Sequence, residues 1–159
     1  MGYVMLGIAI MTTEGFQGAM FQVIAHGVSS PMCFFLVGII YDRAHHREIN
    51  RFGGIWLKWP GYGFGLPGLC GFIGEFWVVL ATFAAPMEGA QTLAILAAFG
   101  VVITAGYILW MIQRVYLGPA KEEYKGYPQA NGRELFILTP LAVLAIVLGI
   151  LPKQSLFDF

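Results

Sequence analysis

The sequence predicts an all-α integral membrane protein, a bundle of about four to five transmembrane helices with one helix broken at Gly65-Leu66-Pro67-Gly68. Three observations predict it. Hydrophobic residues make up 58% of the 159-residue chain and the mean hydropathy is +0.72. Charged residues make up only 11%, against about 25% in soluble domains. The apolar residues are also gathered into runs close to the roughly 20 residues that a membrane-crossing helix needs. Inside a bilayer the backbone must satisfy its own hydrogen bonds, which such helices do internally.

The elements follow in order. Residues 3–12 are apolar but too short to span, and read as the tail of a helix. Residues 17–41 form a full span ending at Tyr41-Asp42-Arg43. A charged connection runs from Asp42 to Lys58, within YDRAHHREINRFGGIWLK. Residues 61–85 are long enough for a span but hold many glycines and Pro67, which removes a donor and clashes with the preceding turn. Residues 90–113 form a clean span ending at Gln113-Arg114. The connection RVYLGPAKEEYKGYPQANGRE, residues 114–134, carries the Gly-Pro and Asn-Gly pairs of a loop. Residues 135–151 form the last span, with Pro140 in its first turns. Two spans between the two charged connections place both on one side. Their lysines and arginines make that side the cytoplasmic one. No repeat or soluble domain interrupts this pattern, so residues 1–159 are expected to form a single membrane domain.

Composition also excludes functions. The net charge is zero, so no basic field favours nucleic acid. Cys33 and Cys70 make no C-x-x-C pair and read as small buried residues. The N-terminus has no basic segment and cleavage site of a secretory leader. No catalytic motif and no metal-ligand spacing occurs, so no catalytic centre and no metal are expected in this chain.

Nine acidic and nine basic residues fall almost entirely in connections and tails. The exception is Glu75, in the apolar stretch GFIGEFWVVL. An ionised side chain at mid-bilayer costs at least roughly 2.5–3.5 kcal/mol on insertion scales. A carboxyl group taken out of water holds its proton to higher pH, and can then exchange it near neutrality. The alternative is a protonated carboxyl that hydrogen-bonds a neighbouring helix as glue. His26 lies inside the first span, with Gln22 four residues before it and Ser29 and Ser30 three and four after. That spacing shares one helix face. Histidine titrates near neutral pH, and amides and hydroxyls can hold water beside it. Interhelical hydrogen bonding is again the plainer alternative. Gly65, Pro67 and Gly68 break the helix before Glu75, and broken helices place ion sites at mid-membrane in transporters. Gly68, Gly71 and Gly74 repeat every three residues, a surface open to close helix approach.

Four segments together carry a resemblance: IAHGVSSPMCFFLVGIIYDRAHHREINRFGG, GLPGLCGFIGEFWVVL, YILWMIQRVYLGP and RELFILTPLAVLAIVLGILP. They are similar to the antiporter-like subunits of NADH-quinone oxidoreductase (respiratory complex I), in the subunit M family, whose mitochondrial counterpart is NADH dehydrogenase subunit 4. The resemblance implies the C-terminal part of an antiporter-like fold that translocates protons, coupled to quinone reduction, in a multi-pass protein of the bacterial inner (plasma) membrane. It implies the lipid bilayer and other membrane-arm subunits as partners. It implies no cofactor in this chain, with quinone, FMN and iron–sulfur clusters elsewhere in the complex. By it His26 falls on the family's tenth-helix histidine and Glu75 on its twelfth-helix glutamate, where sister subunits carry lysine. Arg43, His45 and Arg47 fall on the family loop Y-[DE]-R-x-H-x-R, with a structural or helix-coupling role.

The chain departs from the family in holding only the closing helices. It also lacks apolar residues between Trp59-Pro60 and Gly65 that complete the family's eleventh helix. With that helix restored, the two charged connections would face opposite sides. A cation/proton antiporter subunit, a membrane-bound hydrogenase subunit and a truncated scaffold without pumping activity are the rival readings.

Overall fold

The computed structural model describes residues 1–54, 70–119, 121, 122, 128 and 131–150. The described residues form five helices and no strand: α1 (Gly2–Ala9), α2 (Thr13–Ala44), α3 (Cys70–Ala84), α4 (Ala90–Val115) and α5 (Gly132–Ile150), with a short 3₁₀ turn at Ile49–Arg51. The helices α2, α4 and α5 are long and apolar enough to cross a membrane, and α3 is a shorter apolar helix. The expected helix break at Gly65, Pro67 and Gly68 lies outside the described residues.

Local chemistry sets the ends of α2. Thr12 is extended at φ −106° and ψ 154°, and its hydroxyl accepts the Gly15 N–H at 3.1 Å. A threonine cap satisfies one of the orphan donors of a helix start, and Glu14 in the first turn suits the positive end of the helix dipole. The helix stops where His45 turns left-handed at φ 53° and its N–H returns to the Tyr41 carbonyl at 2.8 Å. Its 32 residues rise about 48 Å, more than the roughly 30 Å of hydrocarbon in a bilayer. Asp42 and Arg43, charged and at its end, suit the membrane edge rather than the hydrocarbon.

The short α1 folds back on α2 through Met11, which takes φ 51°. Gly7 and Gly15 make that approach possible. A Cβ on Gly7 would stand 2.7 Å from the Gly15 carbonyl oxygen, and one on Gly15 would stand 2.6 Å from that of Gly7.

The helix α3 is central, packing against α1, α2, α4 and α5. It runs antiparallel to α2. Gly18 lies against Val78, Gln22 against Gly74, and the Cys70 thiol points to the Ala25 carbonyl at 3.8 Å. Phe21 and Trp77 pack with ring centroids 5.5 Å apart. The core continues along α2 through Val28, Met32, Leu36 and Ile39 to Leu138, Ala145 and Leu148 of α5. Of the two cysteines, Cys70 is buried and Cys33 half-buried, both free.

The two charged connections meet at one end of the bundle. Arg114 donates to Asn50 Oδ1 at 2.9 Å, and Lys121 Nζ to the Asn50 carbonyl at 2.7 Å. The described parts of both connections therefore lie at the same end of the bundle.

Candidate functional site

Among the described residues, Gln22 and Gly74 form a closely packed polar place in the α2–α3 seam. A Cβ on Gly74 would run into Gln22 Oε1 and stand 3.0 Å from the Gln22 Cα. Only the missing side chain lets the two backbones come this near. Gln22 is 6% exposed, and its Oε1 has no hydrogen-bond partner. Glu75 is the next residue after Gly74. It is half-buried, and makes no hydrogen bond or ion pair with any described residue. Glu75 thus follows the contact glycine on α3, the helix that touches the other four, with its side chain turned about 100° from the Gly74 face and within electrostatic reach of Tyr3 on α1.

The glycine repeat does not act as one surface. Gly74 is packed, while a Cβ on Gly71 would meet nothing within 4 Å. A step of three residues moves about 60° short of a full turn, so only one member of such a repeat need face a given neighbour. Gly68 lies outside the described residues.

The polar residues of α2 separate by burial. Gln22 is buried, Ser29 and Ser30 are half-buried, and His26 is exposed. The buried face of α2 runs through Phe21, Ala25, Val28, Met32, Leu36 and Ile39. His26 lies roughly 120° round the helix axis from the middle of that face. Among the described residues the structure brings Gln22 to the Glu75 helix, and leaves His26 on the open side of α2.

Arg43, His45 and Arg47 lie at the bundle end. The Arg43 guanidinium donates twice to Glu134, at 3.1 and 2.8 Å, and also to the carbonyls of Ile39 and Pro128 at 2.9 and 3.2 Å. The paired side chains are 9% and 22% exposed. This fork ties the end of α2 to the start of α5. Glu134 has a second task, accepting the Asn131 N–H at 2.9 Å in the manner of a capping box. His45 sets its ring edge-on to Tyr41, and the Arg47 guanidinium covers the same ring at 4.8 Å.

Sequence reasoning missed several of these residues. Glu134 had a visible signal, an acid three residues after Asn131 at the head of an apolar run. Tyr3 had none. Its hydroxyl donates to the Ala97 carbonyl at 2.8 Å and joins α1 to α4, which only the packing reveals.

Comparison with known proteins follows the same lines. A family model described as NADH:quinone oxidoreductase/Mrp antiporter, TM, matches residues 1–104. NADH-quinone oxidoreductase subunit M of Rhodobacter capsulatus is 38% identical over 164 residues, covering 96% of this chain and 31% of the relative. The subunit M of Escherichia coli (strain K12) is 34% identical over 168 residues, covering 98% and 32%. Among solved structures, respiratory complex I from Thermus thermophilus with bound NADH contains a similar chain. The match has a TM-score of 0.80 and 30% identity, and covers 98% of this chain and 34% of that one. The chain spans about a third of the length of the curated relatives it matches.

Proposed function

Because the chain belongs to the NADH:quinone oxidoreductase/Mrp antiporter transmembrane family, we propose that it works as a proton-translocating membrane subunit of an NADH-quinone oxidoreductase. In this reading Glu75 takes up and releases the proton. Gln22, Ser29 and Ser30 hold water near it, and His26 passes the proton onward toward neighbouring protein. The observation that carries the reading is the placement of Glu75, half-buried and without a hydrogen-bond or ion-pair partner among the described residues, next along α3 to Gly74, which packs against the buried Gln22. Groups without fixed partners can change protonation with little rearrangement. The buried Gln22 Oε1 is open to a donor such as water.

The energy would come from quinone chemistry in other subunits, and this chain would hold no flavin, cluster or quinone of its own. Its partners would be further membrane-arm subunits, and its place a bacterial inner membrane. Arg43, with Glu134, would hold two helices in register while the proton path changes state.

The test is Glu75→Gln in the intact subunit of the assembled complex. Proton movement per electron should fall, while quinone reduction remains chemically possible. Unchanged stoichiometry would remove Glu75 from the path and leave it as interhelical glue. The family description also names antiporters, which supports a second reading, a cation/proton antiporter subunit. Proton movement driven by a sodium gradient and independent of electron transfer would favour that reading.

A further inference from the structure

Between α2 and α5, at the bundle end where the charged connections meet, lies an open groove of about 550 Å³. Its floor is apolar and includes Phe34, Phe35 and Gly38. Its rim carries Asp42, Arg133 and Glu134. The rim charges are not equivalent. Glu134 is already neutralised by the Arg43 fork. Asp42 and Arg133 are exposed, and neither forms an ion pair or hydrogen bond with a described residue, including each other. The rim therefore offers one free carboxylate and one free guanidinium above an apolar slot. Phe34 and Asp42 are eight residues apart on α2, about 12 Å along the helix axis. That is the layout of a lipid, charged at the membrane edge and apolar below it.

We propose that this groove binds a phosphatidylethanolamine molecule. An acyl chain lies along Phe34, Phe35 and Gly38, Arg133 holds the phosphate, and Asp42 accepts hydrogen bonds from the ammonium. The headgroup choice follows from the rim. Phosphatidylglycerol offers Asp42 only neutral hydroxyl donors, with no cation to balance the carboxylate. Phosphatidylcholine carries a cation without N–H, so it can give Asp42 no hydrogen bond. Phosphatidylethanolamine alone of the three brings both a phosphate for Arg133 and a cationic N–H donor for Asp42. The site stands apart from the proton path, and the proposal holds whichever member of the family the chain serves.

The experiment is native mass spectrometry of the full chain, delipidated in detergent and offered phosphatidylethanolamine, phosphatidylcholine and phosphatidylglycerol of equal chain length. An ammonium-to-carboxylate hydrogen bond, which neither rival can make, contributes about 1 kcal/mol at an exposed rim, so phosphatidylethanolamine should be retained about fivefold over either. Asp42→Asn should bring it down to the level of phosphatidylcholine. Arg133→Gln should weaken both by a similar factor. Equal retention of the three lipids by the unaltered chain overturns the proposal without any variant. An undiminished preference in Asp42→Asn overturns it too. So does a Phe35→Cys variant that cross-links to a neighbouring subunit in native membranes, because a protein helix would then fill the groove.

Discussion

At Gly74 a single hydrogen in place of a side chain decides how near two helices come. The obstacle a larger residue would meet is the backbone of Gln22 as well as its amide. Backbone cannot swing aside as a flexible side-chain tip can, so α2 and α3 would have to part. Gly74→Ala is therefore expected to destabilise the bundle by about 1–3 kcal/mol, the usual range for overpacking. Gly71→Ala, with open space around it, should be neutral or slightly stabilising, because alanine favours the helix. Unfolding of both variants in a detergent titration checks the pair, and equal effects would contradict the packing. Gln22 gives the opposite sign. A buried acceptor without a donor costs about 1–3 kcal/mol. Gln22→Leu should thus raise stability by about 1 kcal/mol while slowing proton movement. Lower stability would mean that Oε1 is hydrogen-bonded after all. The polarity of Gln22 was legible in the sequence, four residues before His26. Its burial, and the exposure of His26, were not, because spacing fixes angles on one helix and says nothing of where the neighbour lies.

Among the elements, α2 and α5 are joined at their edge by Arg43 and Glu134. The fork is short, doubled and largely covered, unlike an exposed surface pair. Such a pair is strongest where a planar guanidinium meets a carboxylate on both oxygens. Arg43→Gln and Glu134→Gln should each lower stability, and the double variant by less than the sum. The coupling energy expected from the cycle is about 1–2 kcal/mol, measured by the same unfolding titration. Strict additivity would show that the two act independently. The loop motif around Arg43 was visible in the sequence, but its partner lies 91 residues away. No local pattern links two such distant residues. The helices themselves were legible from run length alone, since a bilayer demands a minimum apolar length whatever the neighbours do.

The whole molecule buries one side of its helices and leaves another open. The helix α3 is enclosed by α1, α2, α4 and α5, whereas the apolar middle of α4 is open along its length, with Phe99, Val102 and Tyr107 all more than half exposed. In bilayers holding this chain, a spin label at Val102→Cys should meet lipid-soluble oxygen freely. The same label at Ala94→Cys, which is buried, should be shielded or should disturb the packing. Equal oxygen access at the two positions would mean a different helix arrangement. The open flank of α4 is also where the proposed further membrane-arm subunits would have room to pack.

The sequence by itself determined that this is a membrane protein, how its helices are divided, and that one carboxylate stands inside the apolar part. Those properties depend on composition and run length, which the bilayer selects one segment at a time. The tertiary structure alone decided that α3 lies at the centre, that Gly74 rather than Gly71 is the point of contact, and that Glu134 answers Arg43. Each depends on which helix lies beside which. That arrangement is settled by small residues and distant ion pairs acting together, so no single stretch of chain can express it.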